Sequence, residues 1–226
     1  MDSPVTSRCI THRASRRSFT LAGVSSLLLA LSGCDRGGSG GEAAQPKATV
    51  ATFNAVDITG ADYAGKLEMP DAQGKVRTLS EFKGKVVVVF FGYTHCPDVC
   101  PTTLAELAEV KRSLGADGDK VQGIFVTLDP ERDTPELLSA YVKNFDAGFI
   151  ALRPEPTQLK ALAREFKVFY MKVPGKTDDA YTLDHTAGSY IYDPQGRVRL
   201  FSRYGAGGPQ ALADDIKKLL SNTAPA

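Results

Sequence analysis

Phe90-Phe91-Gly92-Tyr93-Thr94-His95-Cys96-Pro97-Asp98-Val99-Cys100-Pro101 joins the end of a buried strand to the start of a helix. Upstream, Lys85-Val86-Val87-Val88-Val89-Phe90-Phe91 is continuously apolar after its lysine, as a strand covered on both faces should be. Downstream, Leu104, Leu107, Ala108 and Leu114 mark one side of a helix from about Pro101 to Leu114. Two cysteines thus sit where a strand gives way to a helix, the place where open α/β sheets put their sites.

Working outward, strands and helices alternate. Lys66–Met69 and Lys75–Leu79 flank Pro70-Asp71-Ala72-Gln73-Gly74, which predicts a short N-terminal hairpin. Gln122–Leu128 reads as a second buried strand, and Thr134 as the cap of a helix that opens on Pro135 and ends near Phe145. Phe149–Leu152 predicts a short strand, 157–166 a helix and Val168–Val173 a further strand. Ser189–Tyr192 and Val198–Arg203 form a hairpin around Asp193-Pro194-Gln195-Gly196, and a helix over 209–220 closes the chain. Parallel β-α-β units followed by an antiparallel hairpin and a last helix give an α/β fold. The expected architecture is a thioredoxin-like sandwich, a central mixed sheet with flanking helices and an extra N-terminal β-hairpin. Gly205-Ala206-Gly207-Gly208 lacks the strand-loop-helix setting of a nucleotide-binding loop and reads as a turn.

Before this domain the chain carries an address. Arg8, Arg13, Arg16 and Arg17 precede an apolar run from Leu21 to Leu31, which is shorter than the roughly 20 residues a membrane span needs. Residues 1–33 therefore read as a cleaved signal peptide. Ser15-Arg16-Arg17-Ser18-Phe19 resembles a twin-arginine export motif, although two arginines also serve as simple n-region charge. Leu31-Ser32-Gly33-Cys34 resembles a lipobox, which makes Cys34 the lipidation site and first mature residue. Residues 34–52, with Gly37-Gly38-Ser39-Gly40-Gly41, read as a flexible membrane tether reaching roughly 20–25 Å, and residues 53–226 as the globular domain. The expected location is the periplasmic face of the bacterial inner membrane, where thiols tend to be oxidised.

Composition excludes other classes. The chain has 226 residues, 42% hydrophobic, and a formal charge of +1, which becomes −2 once residues 1–33 are removed, so nothing electrostatic points to nucleic acid. The histidines are His12, His95 and His185, and the cysteines are Cys9, Cys34, Cys96 and Cys100. A helix N-terminus favours thiolate, which is both the nucleophile of disulfide exchange and a ligand of soft metals. Cys96 and Cys100 enclose three residues, not the two of the usual redox pair; four positions along a helical turn bring side chains to one side. Their spacing leaves open a metal site, a redox dithiol or a small stabilising disulfide. In the thioredoxin plan, the segment before the late hairpin returns to the active-site loop; here that stretch, Leu183–Gly188, carries His185 and no proline. His185 is therefore the candidate third ligand, while His95, beside Cys96, is expected to point away. Asp129 and Asp133 follow the second strand on the same sheet edge. They read as a turn residue and a residue before a helix cap, with contacts to the metal's ligands as the alternative.

Three motifs in order, Phe91–Pro101, Thr127-Leu128-Asp129-Pro130-Glu131-Arg132-Asp133-Thr134 and Asp184-His185-Thr186, make the domain from about 53 to 220 resemble the Sco/SenC family of copper-binding assembly factors for cytochrome c oxidase. The resemblance implies copper ligands at Cys96, Cys100 and His185. It also implies copper as cargo, Cu(I) by the softness of two thiolates and an imidazole, with Cu(II) left open. The partners it implies are oxidase subunit II or another copper acceptor, a thiol reductant of the periplasm, and the membrane through the lipid. Many members of that family keep a transmembrane anchor where this chain has its lipobox. The expected function is a tethered copper chaperone, not an enzyme in the strict sense. The alternative is a thiol-disulfide oxidoreductase, with Cys96 and Cys100 as its redox-active dithiol, that reduces the acceptor's cysteines. A thiol peroxidase fits the fold, but the proline expected before its reactive cysteine is missing ahead of Cys96.

Overall fold

The computed structural model describes residues 52–177 and 180–221; the signal, Cys34 and nearly all of the tether lie outside the described residues. In chain order the elements are strands β1 (Val56–Asp57), β2 (Glu68–Pro70), β3 (Val76–Thr78) and β4 (Val86–Gly92), helix α1 (Val99–Ser113), β5 (Val121–Thr127), α2 (Pro135–Lys143), β6 (Ile150–Leu152) and α3 (Pro156–Glu165). They continue with β7 (Tyr170–Val173), β8 (Thr182–His185), β9 (Gly188–Tyr192), β10 (Val198–Arg203) and α4 (Gly208–Ser221).

The two runs without polar alternation, β4 and β5, are buried at every position and lie side by side in parallel at the centre of the main sheet. Its order is β1-β10-β9-β4-β5-β6. Phe91 packs edge-on against Phe166 at the end of α3. On the opposite face of the strand, Phe90 meets Phe125, whose ring reaches Tyr141 of α2. Burying each such ring contributes roughly 1.5–3 kcal/mol. Thr134 caps α2 by accepting from the Leu137 N–H, and Pro135 occupies the first turn. The outcome is the thioredoxin-like mixed sheet flanked by helices.

Register places the chemistry. Gly92 pairs with Thr127, so β4 and β5 end together, and the segments that follow them share one edge. β9 runs antiparallel to β4 with Ser189 opposite Phe90, so β9 begins where β4 ends. Three residues before that beginning is His185.

Elsewhere the structure differs from expectation at two points. α1 starts at Val99, so Cys100 belongs to its first turn and not to the loop before it. Residues 170–173 do not join the main sheet but pair with β8 in a separate two-stranded ribbon, Tyr170 opposite His185. The expected N-terminal hairpin is present as β2–β3, also a separate sheet. It lies along the β6 edge through the Asp71–Leu152 bridge, which shields an edge otherwise open to pairing. No helix among the described residues is long and apolar enough to cross a membrane.

Candidate metal centre

After Gly92 the chain turns sharply, with the Cys96 N–H donating to the Tyr93 carbonyl at 3.3 Å. The turn is possible because Gly92 has no side chain: a Cβ there would lie 2.7 Å from the Cys100 sulfur and 2.9 Å from the Phe125 ring. Cys96 is half-buried in the turn, and Cys100 is fully buried one helical turn on. The Cys100 N–H points at the Cys96 Sγ, 3.4 Å away, as expected of an unpaired donor at a helix start.

His185 arrives from 85 residues further along, its Nε2 3.7 Å from the Cys100 Sγ. Its Nδ1 is 3.1 Å from the Thr186 carbonyl oxygen. A carbonyl can only accept, so Nδ1 carries the hydrogen and Nε2 presents its lone pair to the sulfurs. The ring is held edge-on against Phe90 and Tyr93. The donor atoms of Cys96, Cys100 and His185 all lie within 4.8 Å of one another. Metal bonds of about 2.3 Å to sulfur and 2.0 Å to nitrogen fit a triangle of that size with little movement.

Electrostatics make the two sulfurs unlike. The Cys96 thiol pKa is lowered to about 3, chiefly by a hydrogen bond from the Cys100 thiol. Burial opposes this, and the backbone N–H groups of Asp98 and Cys100 reinforce it. Cys100 moves the opposite way, up, because its proton is held by the Cys96 sulfur and because it is buried. At rest the pair is one thiolate and one thiol. The soft donors, the lone pair of Nε2 and a single proton to displace suit a soft cation; the same asymmetry suits disulfide exchange.

The other candidates occupy the ground around this triangle. His95 stays out of it: its half-exposed ring faces Asp133 at 3.8 Å and the Thr94 hydroxyl at 3.1 Å. Asp133 is wholly buried and accepts from the Thr94 N–H and hydroxyl and from the Thr127 hydroxyl, so it fixes the segment that enters the cysteine turn. Burial pushes its carboxyl pKa up, against the pull of those donors. Asp129, 2% exposed, pairs with Arg132 and accepts from the Tyr181 hydroxyl at 2.7 Å. The turn-and-cap account of these two acids is thus incomplete: they hold different parts of the site. Sequence reasoning overlooked Arg132 and Tyr181. Arg132, between Glu131 and Asp133 and three residues after Asp129, carried a local signal, whereas Tyr181 meets it only through the fold.

Comparison with known proteins agrees with this geometry. The family model described as SCO1/SenC matches residues 55–221. A SCO2-like protein of Rickettsia felis is 39% identical over 154 residues, covering 68% of this chain and 75% of that one. The mitochondrial protein SCO2 homolog of Bos taurus is 34% identical over 158 residues, covering 68% of this chain and 58% of the bovine one. Among solved structures, Bradyrhizobium japonicum ScoI with copper bound is 42% identical with a TM-score of 0.61, covering 68% of this chain and 97% of that chain. With a family match across the whole described domain and the same fold in its relatives, the chain belongs to the SCO1/SenC family.

Proposed function

We propose that this protein carries copper as Cu(I) on Cys96, Cys100 and His185 and passes it to the binuclear copper site of cytochrome c oxidase subunit II or to another acceptor. The observation that carries the reading is the meeting of His185 Nε2 with the cysteine pair, from a position 85 residues away. A redox dithiol needs no such imidazole. Copper bound in its solved relative from Bradyrhizobium japonicum supports the choice of metal.

Cu(I) on two thiolates leaves a local charge of −1, which the first turn of α1 offsets in part. Cys96 is already thiolate and half open to solvent, so it takes the ion first; Cys100 then gives up its proton, and His185 completes the shell. Three ligands leave one side open. An acceptor's cysteines or histidines can replace them one at a time, which suits transfer better than storage. Lipid on Cys34 and the tether would keep the domain at the periplasmic face of the inner membrane, where a thiol reductant would maintain the pair for reloading.

The unlike sulfurs favour a second reading, reduction of the acceptor. Cys96 thiolate attacks the acceptor disulfide and forms a mixed disulfide. Cys100 loses its proton and attacks the Cys96 sulfur, which closes Cys96–Cys100 and releases the acceptor with both sulfurs reduced. His185→Ala separates the readings. Under copper carriage, Cu(I) affinity measured against a competing chelator falls roughly 10–100-fold while the rate of dithiol exchange changes little. Unchanged Cu(I) affinity in that variant would reject copper carriage on this site and leave the reductase.

A further inference from the structure

The sulfur half and the imidazole half of the site belong to different sheets. The cysteines leave β4 of the main sheet, whereas His185 ends β8 in the separate ribbon β7–β8. The main-sheet ladder brings this part of the chain to the end of β4 through β9, but His185 itself pairs only within the ribbon, opposite Tyr170.

One short segment, 128–134, touches both. On the sulfur side, Asp133 holds Thr94, two residues before Cys96. On the imidazole side, Arg132 Nη1 donates to the Tyr181 carbonyl at 2.9 Å, and its guanidinium lies 3.5 Å from the centre of the Tyr181 ring. The same guanidinium lies 6.0 Å from the centre of the Tyr93 ring. Asp129 closes the ring of contacts by pairing with Arg132 and accepting from the Tyr181 hydroxyl. Lys172 of β7 covers the Tyr181 ring at 4.5 Å and pairs with Glu131 at 2.6 Å, so β7 and the residue that leads into β8 are both gripped. The segment is itself braced: Arg153 donates to the Asp133 carbonyl at 3.0 Å and to the Pro130 carbonyl at 2.7 Å.

We infer that Asp129, Arg132 and Tyr181 form a clasp that sets His185 at bonding distance from the cysteine pair, with Arg132 and Tyr181 as positioning residues. The inference rests on the copper reading of Cys96, Cys100 and His185. A planar guanidinium suits the task because it stacks on a ring and donates along its edge at once, which an ammonium cannot do. Tyr181 lies immediately before β8 and four residues before His185, and a rotation of the ribbon there would carry Nε2 away from the sulfurs. A preorganised imidazole also spares the metal the cost of ordering it.

The test is a double-mutant cycle on Cu(I) affinity, with Arg132→Lys and Tyr181→Ala each combined with His185→Ala. Arg132→Lys keeps the charge beside Asp129, and Tyr181→Ala leaves the Asp129–Arg132 pair in place, so neither exposes a bare buried carboxylate. Each is expected to weaken Cu(I) about tenfold in the parent protein and by no more than about twofold where His185 is already absent. In the metal-free protein, amide exchange at Asp184 and at Thr186, whose N–H donates to the Phe169 carbonyl, should accelerate in both variants while β4 and β5 remain protected. Equal losses with and without His185, or unchanged affinity and exchange, would overturn the clasp. Those outcomes differ from His185→Ala alone leaving affinity unchanged, which removes the copper reading and the proposal with it.

Discussion

Cys100→Ser will lower Cu(I) affinity on the order of a thousandfold, the largest loss expected from one atom of this protein. The substitution replaces a soft anionic donor with a hard neutral hydroxyl at a fully buried position next to the Cys96 sulfur. The loss should come with a change in pH dependence. Cys96 is already thiolate, its pKa lowered to about 3 by the Cys100 thiol, and Cys100 holds the proton. Copper must displace that one proton, so above about pH 7 affinity should rise about tenfold per pH unit, and weaken with acid by the same slope. In Cys100→Ser the slope should fall to near zero, since the serine hydroxyl can still donate to the Cys96 sulfur and keep it ionised, which leaves no proton to displace. Competition against a Cu(I) chelator under anaerobic conditions measures both quantities. A loss below tenfold, or a slope of two in the parent protein, would show that the two sulfurs are not paired as described.

Asp133→Ala should remove about 3 kcal/mol of stability from the metal-free protein. The carboxylate is wholly buried and accepts from the Thr94 N–H, the Thr94 hydroxyl and the Thr127 hydroxyl. Alanine leaves these donors facing a small void in which they have no acceptor. Asp133→Asn should cost less, because an amide oxygen still accepts and the buried charge is gone. The sign of the pH effect follows from the same burial. The Asp133 pKa is raised in the folded state, so its ionisation works against folding at neutral pH, and the opposition lifts as pH falls through the raised value. The gap between the parent and Asp133→Asn should therefore change in the asparagine variant's disfavour as pH falls. Urea unfolding across pH measures this. A loss below about 1 kcal/mol for Asp133→Ala would mean that the segment before Cys96 is held by something else.

Most of the architecture can be read in the sequence because its signals are local. Uninterrupted apolar runs mark β4 and β5, Pro135 after Thr134 marks the start of α2, and Asp193-Pro194-Gln195-Gly196 marks the β9–β10 turn. What escapes local reading depends on partners far away in the chain. Thr182–His185 has no run of branched or aromatic residues to announce a strand; it is one because Tyr170–Val173 offers a ladder. The earlier start of α1 comes from Asp98, whose carbonyl accepts from the Thr102 N–H despite the proline before it. The arrival of His185 at the cysteines was expected from the thioredoxin plan, whose chain path brings that segment back. The clasp could not be foreseen in this way. Arg132 has acids on every side in sequence, and only the fold selects Asp129 and the Tyr181 ring.

Copper-edge X-ray absorption on the reduced, Cu(I)-loaded protein and on its His185→Ala variant tests the three-residue site most directly. The expected result is two sulfurs and one imidazole nitrogen per copper in the parent protein, with the nitrogen lost and both sulfurs kept in the variant. A nitrogen signal that persists without His185, or three or more sulfurs per copper, would contradict it.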